Sequence, residues 1–119
     1  MQYMLLIHHG AAPTPREPDE WAKLSPDEQK AVYTEYQAIN TTPGVTPGVG
    51  LAPAENATTV RVQDGRTLTT DGPFVELKEA IAGYLLFEAD DLDAAIELAA
   101  RIPAARLGGA IEIRPTVEW

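Results

Sequence analysis

Residues 81–102 have the sequence IAGYLLFEADDLDAAIELAARI, in which a strand pattern passes directly into a helix pattern. The run Ile81–Glu88 is short, largely apolar and without helical spacing, which predicts a buried β-strand. After Asp90 and Asp91, whose carboxylates suit a helix N-cap, apolar residues recur with helical spacing up to Pro103, which is expected to end the helix. These apolar residues are Leu92, Ala95, Ile96, Ala99 and Ile102. The stretch indicates one half of an α+β domain.

The other half is predicted from three further segments. The apolar run at 4–7 predicts a central strand. Ser25-Pro26-Asp27-Glu28 combines an N-cap, a proline at the first helical position and a glutamate placed for a capping box, so a helix is expected from here to about Asn40. Its apolar face carries Val32, Tyr36 and Ile39. Alternation at 111–114 predicts a final, half-buried strand.

Two segments between these carry weaker strand signals. Proline and glycine are too dense from 42 to 53 for regular structure, so any strand around 49–52 is expected to be short and peripheral. Segments 58–62 and 66–69 flank Asp64-Gly65, a pair that favours a two-residue hairpin turn. Because few of their side chains are apolar, we expect this hairpin to lie at an edge.

The order of these elements indicates an α+β, ferredoxin-like βαββαβ fold with an added hairpin. Both helices are expected on one face of an antiparallel sheet. We expect one domain over residues 1–119, since this length is common for a single domain and no linker divides the chain. The face without helices needs a cover, and a homodimer is the economical solution.

Composition excludes several classes of function. The net charge of −9 repels phosphate backbones, so nucleic acid is not an expected partner. The longest apolar stretch, at 80–87, is far shorter than the roughly 20 residues of a membrane span, so no membrane partner is expected. The chain has no cysteine and no basic residue before its first apolar run, which favours a cytoplasmic location.

No motif indicates a cofactor or a metal. Glycine-rich nucleotide loops, nucleophile elbows and cysteine sites are absent from the sequence, so no cofactor is expected and any catalysis would be proton transfer. His8 and His9 are adjacent on a strand and point to opposite faces, so they cannot chelate one metal together. The acidic group at 90–93 is better explained by helix capping than by a cation site.

The turn Asp71-Gly72-Pro73-Phe74 is the most distinctive motif. Together with segments 1–6, 57–61, 76–93 and 112–115, it resembles the DGPF group of YCII-related proteins over nearly the whole chain. The resemblance implies a dimeric α/β barrel, in which two ferredoxin-like sheets pack across the faces that lack helices. The wider superfamily includes isomerases, oxygenases and dehalogenating enzymes that act on small organic molecules, although a fold alone does not transfer a chemistry.

The resemblance also implies a catalytic pair formed by a first-helix histidine and an aspartate before the third strand. Asp71 matches the aspartate, but the first helix has no histidine, so the imidazole has to come from His8 or His9. Because Pro73 has no N–H, Asp71 either caps the amide of Phe74 or acts as an acid or base at the rim of a pocket. Asp71, His8 and His9 are therefore the candidate catalytic residues.

Three further residues are candidate ligand contacts, each with a structural alternative. Phe74 follows the turn and is also suited to anchor a core or an interface. Tyr84 lies in a predicted strand and could offer its phenol to a ligand or pack at a dimer interface. Lys78 belongs to a mixed-charge stretch, which forms either a solvated face or a polar pocket wall.

The leading hypothesis is a homodimer with small-molecule pockets between its sheets, catalysing proton transfer without a cofactor. The alternative is a regulatory or protein-interaction module without enzymatic activity, linked to a sigma factor, because relatives of the DGPF group often occur beside sigma-factor proteins. A third hypothesis is a storage or scavenging protein that releases its metabolite unchanged.

Overall fold

The computed structural model of the protein describes residues 1–71 and 81–118. These described residues form six strands, four helices and one turn of 3₁₀-helix at Ala54–Asn56. The strands are β1 (Gln2–His8), β2 (Val45–Thr46), β3 (Thr58–Gln63), β4 (Arg66–Asp71), β5 (Ile81–Glu88) and β6 (Ala110–Pro115). The helices are α1 (Pro18–Trp21), α2 (Pro26–Asn40), α3 (Leu92–Ala100) and α4 (Pro103–Arg106).

Four strands form one sheet in the order β2-β5-β1-β6, and every neighbouring pair is antiparallel. In the centre of this sheet Leu5 lies opposite Leu85 on one side and Ile113 on the other. This mixed α+β architecture is compatible with the predicted ferredoxin-like fold.

The helices cover one face of the sheet. Strand alternation places Tyr3, Leu5 and Ile7 on this face, where all three are buried. They belong to one core cluster with side chains from the neighbouring strand and from three helices. The cluster includes Leu85, Phe87, Ile39, Ala95, Leu98, Ala99, Ile102 and Ala104. Helices on one face of the sheet are therefore confirmed.

The opposite face carries Met4, Leu6, Tyr84 and Leu86, all partly exposed. Leu6 lies opposite Tyr84, and Met4 lies opposite Leu86, in the pairing of β1 with β5. The helices that contribute to the core cluster lie on the other side of the sheet. We call this surface the uncovered face.

Helix α2 begins with the predicted capping box. The Glu28 amide donates to Ser25 Oγ at 3.1 Å, and the Ser25 amide donates to Glu28 Oε1 at 3.3 Å. The helix ends at Asn40, as predicted, with Val32 and Ile39 buried. Local hydrogen bonds fix its first turn and therefore the position of its inward face.

Helix α3 starts as predicted, with Asp91 Oδ1 accepting from the Ala94 amide at 2.9 Å, but its buried face differs from the predicted one. Leu92 and Ile96, which were expected on the buried face, are 50% and 48% exposed. Leu98, which was not expected there, is buried. Helix α3 ends at Ala100, before Pro103, which opens the short helix α4.

The predicted hairpin is present, but in a different place. Asp64 and Gly65 both have positive φ, 50° and 74°, as a type I′ turn requires. Strands β3 and β4 form a sheet of their own instead of extending the main sheet. The outer edge of β5 is already paired with β2, and Gly50 forms a bridge to Gly83, so this edge is occupied. Val62 on the hairpin is 69% exposed.

The peripheral segment predicted near 49–52 lies along β5. The Leu51 amide donates to the Ala82 carbonyl at 2.7 Å, next to the bridge between Gly50 and Gly83. Gly48 lies so close to β5 that a Cβ at this position would clash with the Tyr84 carbonyl oxygen. The segment is irregular, as predicted, and it brings residues 48–51 against the sheet, but the short strand of this region, β2, lies earlier, at Val45–Thr46.

Within residues 1–71 and 81–118, no helix combines the length and apolar character needed to cross a membrane. The longest, α2, has 15 residues.

Candidate functional site

A cavity of about 340 Å³ lies on the helix-covered side of the sheet. Its walls come from β1, α2, α4, β5, the loop 9–16 and the edge segment 48–50. The apolar lining includes Ile7, Val32, Leu85 and Leu107, and the polar lining includes His9, Arg16, Tyr36 and Asn40. We call it the α2 cavity. Its volume falls at the lower end of the roughly 300–1,000 Å³ typical of small-molecule sites.

His9 enters the α2 cavity immediately after β1, where its carbonyl accepts from the Ala12 amide at 2.7 Å and turns the chain. Its Nδ1 atom is buried and has no hydrogen-bond partner in the described part of the chain. Burial lowers the pKa of His9, the positive charge of Arg16 lowers it further, and Glu17 opposes them. His9 is therefore a neutral imidazole at neutral pH that lines the cavity, and its buried Nδ1 has no partner among the described residues.

Two tyrosines of α2, Tyr33 and Tyr36, and Trp21 of α1 line the cavity. Burial raises the pKa of Tyr36, and a hydrogen bond with the Ala104 backbone partly offsets this effect, so the phenol stays protonated at neutral pH. Trp21 and Tyr33 meet edge to face, with ring centroids 5.7 Å apart and an interplanar angle of 74°. These rings give the cavity an aromatic wall.

Arg16 connects the two loops at the edge of the cavity. Its Nη1 donates to the Leu51 carbonyl, and Nη2 would lie 3.1 Å from a Cβ built on Gly50. The guanidinium group therefore rests against bare backbone of the segment that runs along β5.

His8 lies outside the α2 cavity, on the uncovered face. Its Nε2 is 3.4 Å from Glu112 Oε1, and Arg114 Nε donates to the other oxygen of the same carboxylate at 2.7 Å. The hydrogen bond from Arg114 is the main cause that lowers the pKa of Glu112, and His8 contributes in the same direction. The two adjacent histidines thus have separate surroundings, in agreement with strand alternation.

The remaining predicted site residues are only partly described. Asp71 is the last residue of β4, with its backbone opposite Thr58, and nothing is described of its side chain. Phe74 and Lys78 lie outside the described residues, so their roles remain predictions. Tyr84 lies opposite Leu6 and also borders the α2 cavity where Gly48 approaches its backbone.

Sequence reasoning missed Arg16, Trp21 and Asn40 as cavity residues. Arg16 lies in a proline-rich loop with no periodic pattern, and only its contact with Leu51, 35 residues away, brings it to the cavity. Tyr36 lies on the inward face of α2, as predicted. The sequence indicated a core position for it and not a position beside a cavity.

No group of three or more His, Cys, Asp or Glu side chains within residues 1–71 and 81–118 is placed to hold a metal ion. The chemistry that the described residues offer at the α2 cavity is hydrogen bonding, proton transfer and binding of a negative charge.

Comparison with known families matches all of residues 1–119 to the model of the YCII-related domain. The chain is also similar to an uncharacterized protein of Rhizobium meliloti (strain 1021), with 37% identity over 70 residues. That match covers 58% of this chain and 56% of the relative, so the chain spans about half the length of that curated relative.

Proposed function

The chain belongs to the YCII-related family, and from that premise we propose that it binds a small organic molecule in the α2 cavity and exchanges a proton with it through His9. The observation that carries this proposal is the buried Nδ1 of His9, which has no partner among the described residues. A buried polar atom usually has a hydrogen-bond partner, and a ligand in the cavity could supply one.

Proton transfer suits the described residues of the cavity. A neutral imidazole can take a proton from a ligand and return it to another atom, so the reaction is an isomerisation that consumes no second substrate. The pKa of His9, lowered by burial and by Arg16, keeps it in the basic form at neutral pH. Asp71 remains the proposed partner of the imidazole, as the resemblance to the DGPF group implies.

Filling the cavity is expected to abolish binding. Val32 is 8% exposed and lines the cavity, so Val32→Phe would add a ring where the ligand binds. We expect the thermal shifts from a metabolite library to disappear in this variant. Val62→Phe makes the same change on the exposed hairpin and is expected to keep them.

Shifts that survive in Val32→Phe would contradict binding in the α2 cavity. A library without any ligand, together with stoichiometric capture of a protein such as a sigma factor, would instead favour the interaction module. A ligand recovered without exchange of its protons would favour the storage protein.

We also propose that the chain forms a homodimer through the uncovered face. Met4, Leu6, Tyr84 and Leu86 give this face an apolar centre, and a second copy would bury it against the same surface. The resemblance to the DGPF group supports this arrangement. Any further pocket would then lie between the two sheets.

A charge on the uncovered face is expected to separate the dimer. Sedimentation should give about twice the chain mass of 12.9 kDa for the wild type and the single mass for Leu86→Glu, because a buried unpaired carboxylate is costly. Ile96→Glu is the control, since Ile96 is an exposed apolar residue on the other side of the molecule. A wild-type monomer, or a dimer separated by Ile96→Glu alone, would contradict the proposal.

A further inference from the structure

The described lining of the α2 cavity is opposite in charge to the chain as a whole. The sequence has 18 acidic and 9 basic residues, yet the described lining includes no acidic residue. Arg16 is the one side chain of the described lining that carries a full charge at neutral pH. His9 beside it is neutral, since burial and Arg16 lower its pKa while Glu17 opposes them. The described lining therefore carries a positive charge in an acidic protein, and such a site attracts anions.

Arg16 forms no ion pair within residues 1–71 and 81–118. Its one hydrogen bond there is from Nη1 to the Leu51 carbonyl. A guanidinium has five N–H donors, so others remain for a ligand. Gly50 has no side chain that could crowd the guanidinium group. A Cβ at this position would lie only 3.1 Å from Nη2. The planar arrangement of these donors matches the two oxygens of a carboxylate.

The rest of the cavity favours an apolar or aromatic body. Ile7, Val32 and Leu85 form an apolar wall, and the Trp21–Tyr33 pair adds aromatic edges and faces. One guanidinium balances one negative charge, and the described lining has no second cation for a doubly charged phosphate. Both observations favour a monoanion.

The geometry points to a small carboxylic acid with an aromatic or apolar body as the ligand of the α2 cavity, its carboxylate bound by Arg16. This inference rests on the proposed function of the cavity. The carboxylate would lie at Arg16 and the apolar body against Val32 and Leu85, leaving His9 to contact the atom that carries the exchanging proton.

The test compares acids with their amides. Phenylacetate, 3-phenylpropanoate and hexanoate are titrated against the whole chain at pH 7.5, each beside its neutral primary amide, with protein-observed NMR as the readout. We expect the acids to bind at least about 10-fold more tightly than the amides, because hydrogen bonds to charged groups are the stronger ones. Phenyl phosphate is the dianionic comparison and is expected to bind more weakly than phenylacetate.

Arg16→Gln is expected to weaken the binding of the acids by about 10- to 100-fold and to leave the binding of the amides nearly unchanged. The control is Arg101→Gln, which removes the same charge from an exposed residue at the end of α3, outside the cavity. Equal weakening by Arg101→Gln would show a general charge effect and overturn the inference.

Three other outcomes would overturn it as well. They are equal affinity for acids and amides, tighter binding of phenyl phosphate, and no binding by any compound of the panel. In each case the proposed function is tested separately. It stands if a library ligand binds the wild type and Val62→Phe but no longer binds Val32→Phe.

Discussion

Replacing His9 with Gln is expected to slow the exchange of a ligand's protons with solvent by about 10²- to 10⁴-fold, the usual contribution of a positioned base. Phenylpyruvate is a suitable probe, because it is an aromatic carboxylate whose methylene protons exchange on enolisation. Exchange in D₂O is followed by NMR with catalytic amounts of protein. Glutamine has a similar size and can still form hydrogen bonds, but it cannot act as a base near neutral pH.

The pH dependence of this exchange identifies the base. Only the neutral imidazole accepts a proton, so the rate should rise as pH increases through the pKa of His9 and then level off. Burial and the charge of Arg16 lower that pKa, against the opposing effect of Glu17, so the midpoint is expected below 6.5. A midpoint above 6.5, or a rate unchanged in His9→Gln, would contradict the assignment.

The neighbouring histidine provides the comparison. His8 lies on the uncovered face beside Glu112, and His8→Gln changes an equivalent side chain one residue away. If His8→Gln slows the exchange and His9→Gln does not, the base lies on the uncovered face and not in the α2 cavity.

Truncating the centre of the core should have the largest effect on stability. Leu5 is fully buried in the central strand, between Leu85 and Ile113. Leu5→Ala leaves a cavity there and is expected to lower the free energy of unfolding by about 2–5 kcal/mol. Urea denaturation followed by circular dichroism measures this change, which is a large share of the roughly 5–15 kcal/mol of a typical domain.

Leu6→Ala makes the same truncation on the uncovered face. Leu6 is partly exposed, so its loss in the single chain should be smaller. Equal losses at low protein concentration would contradict the assignment of the two faces. A loss at Leu6 that grows with protein concentration would support the dimer, since association stabilises the folded chain.

Elements defined by neighbouring residues could be predicted from the sequence. The capping box at Ser25 and the turn at Asp64-Gly65 depend on a few adjacent residues, and both are present in the structure. The buried face of α3 could not be predicted in full, because most of its residues are apolar and spacing alone allows several faces. Helix α3 packs against β6 and α4, and in the folded chain Leu98 is buried while Ile96 is exposed.

The candidate site was the less predictable part, because it depends on contacts between distant segments. The sequence named both His8 and His9 as candidates. Only the folded chain shows that His9 lines the α2 cavity while His8 lies beside Glu112. Arg16 reaches the cavity through its hydrogen bond to Leu51, which no local pattern indicates. Loops that meet in space are set by the whole topology, and periodicity carries no information about them.

The pairing of β1 also has a consequence for the folding pathway. Leu5 has its partners at Leu85 and Ile113, so the central strand cannot acquire either neighbour until most of the chain has been synthesised. Contacts between such distant residues close large loops and are typically slow to form. Until β5 has been synthesised, the apolar segment of β1 has no strand to pair with and stays exposed. Aggregation or chaperone binding is therefore expected mainly during this period.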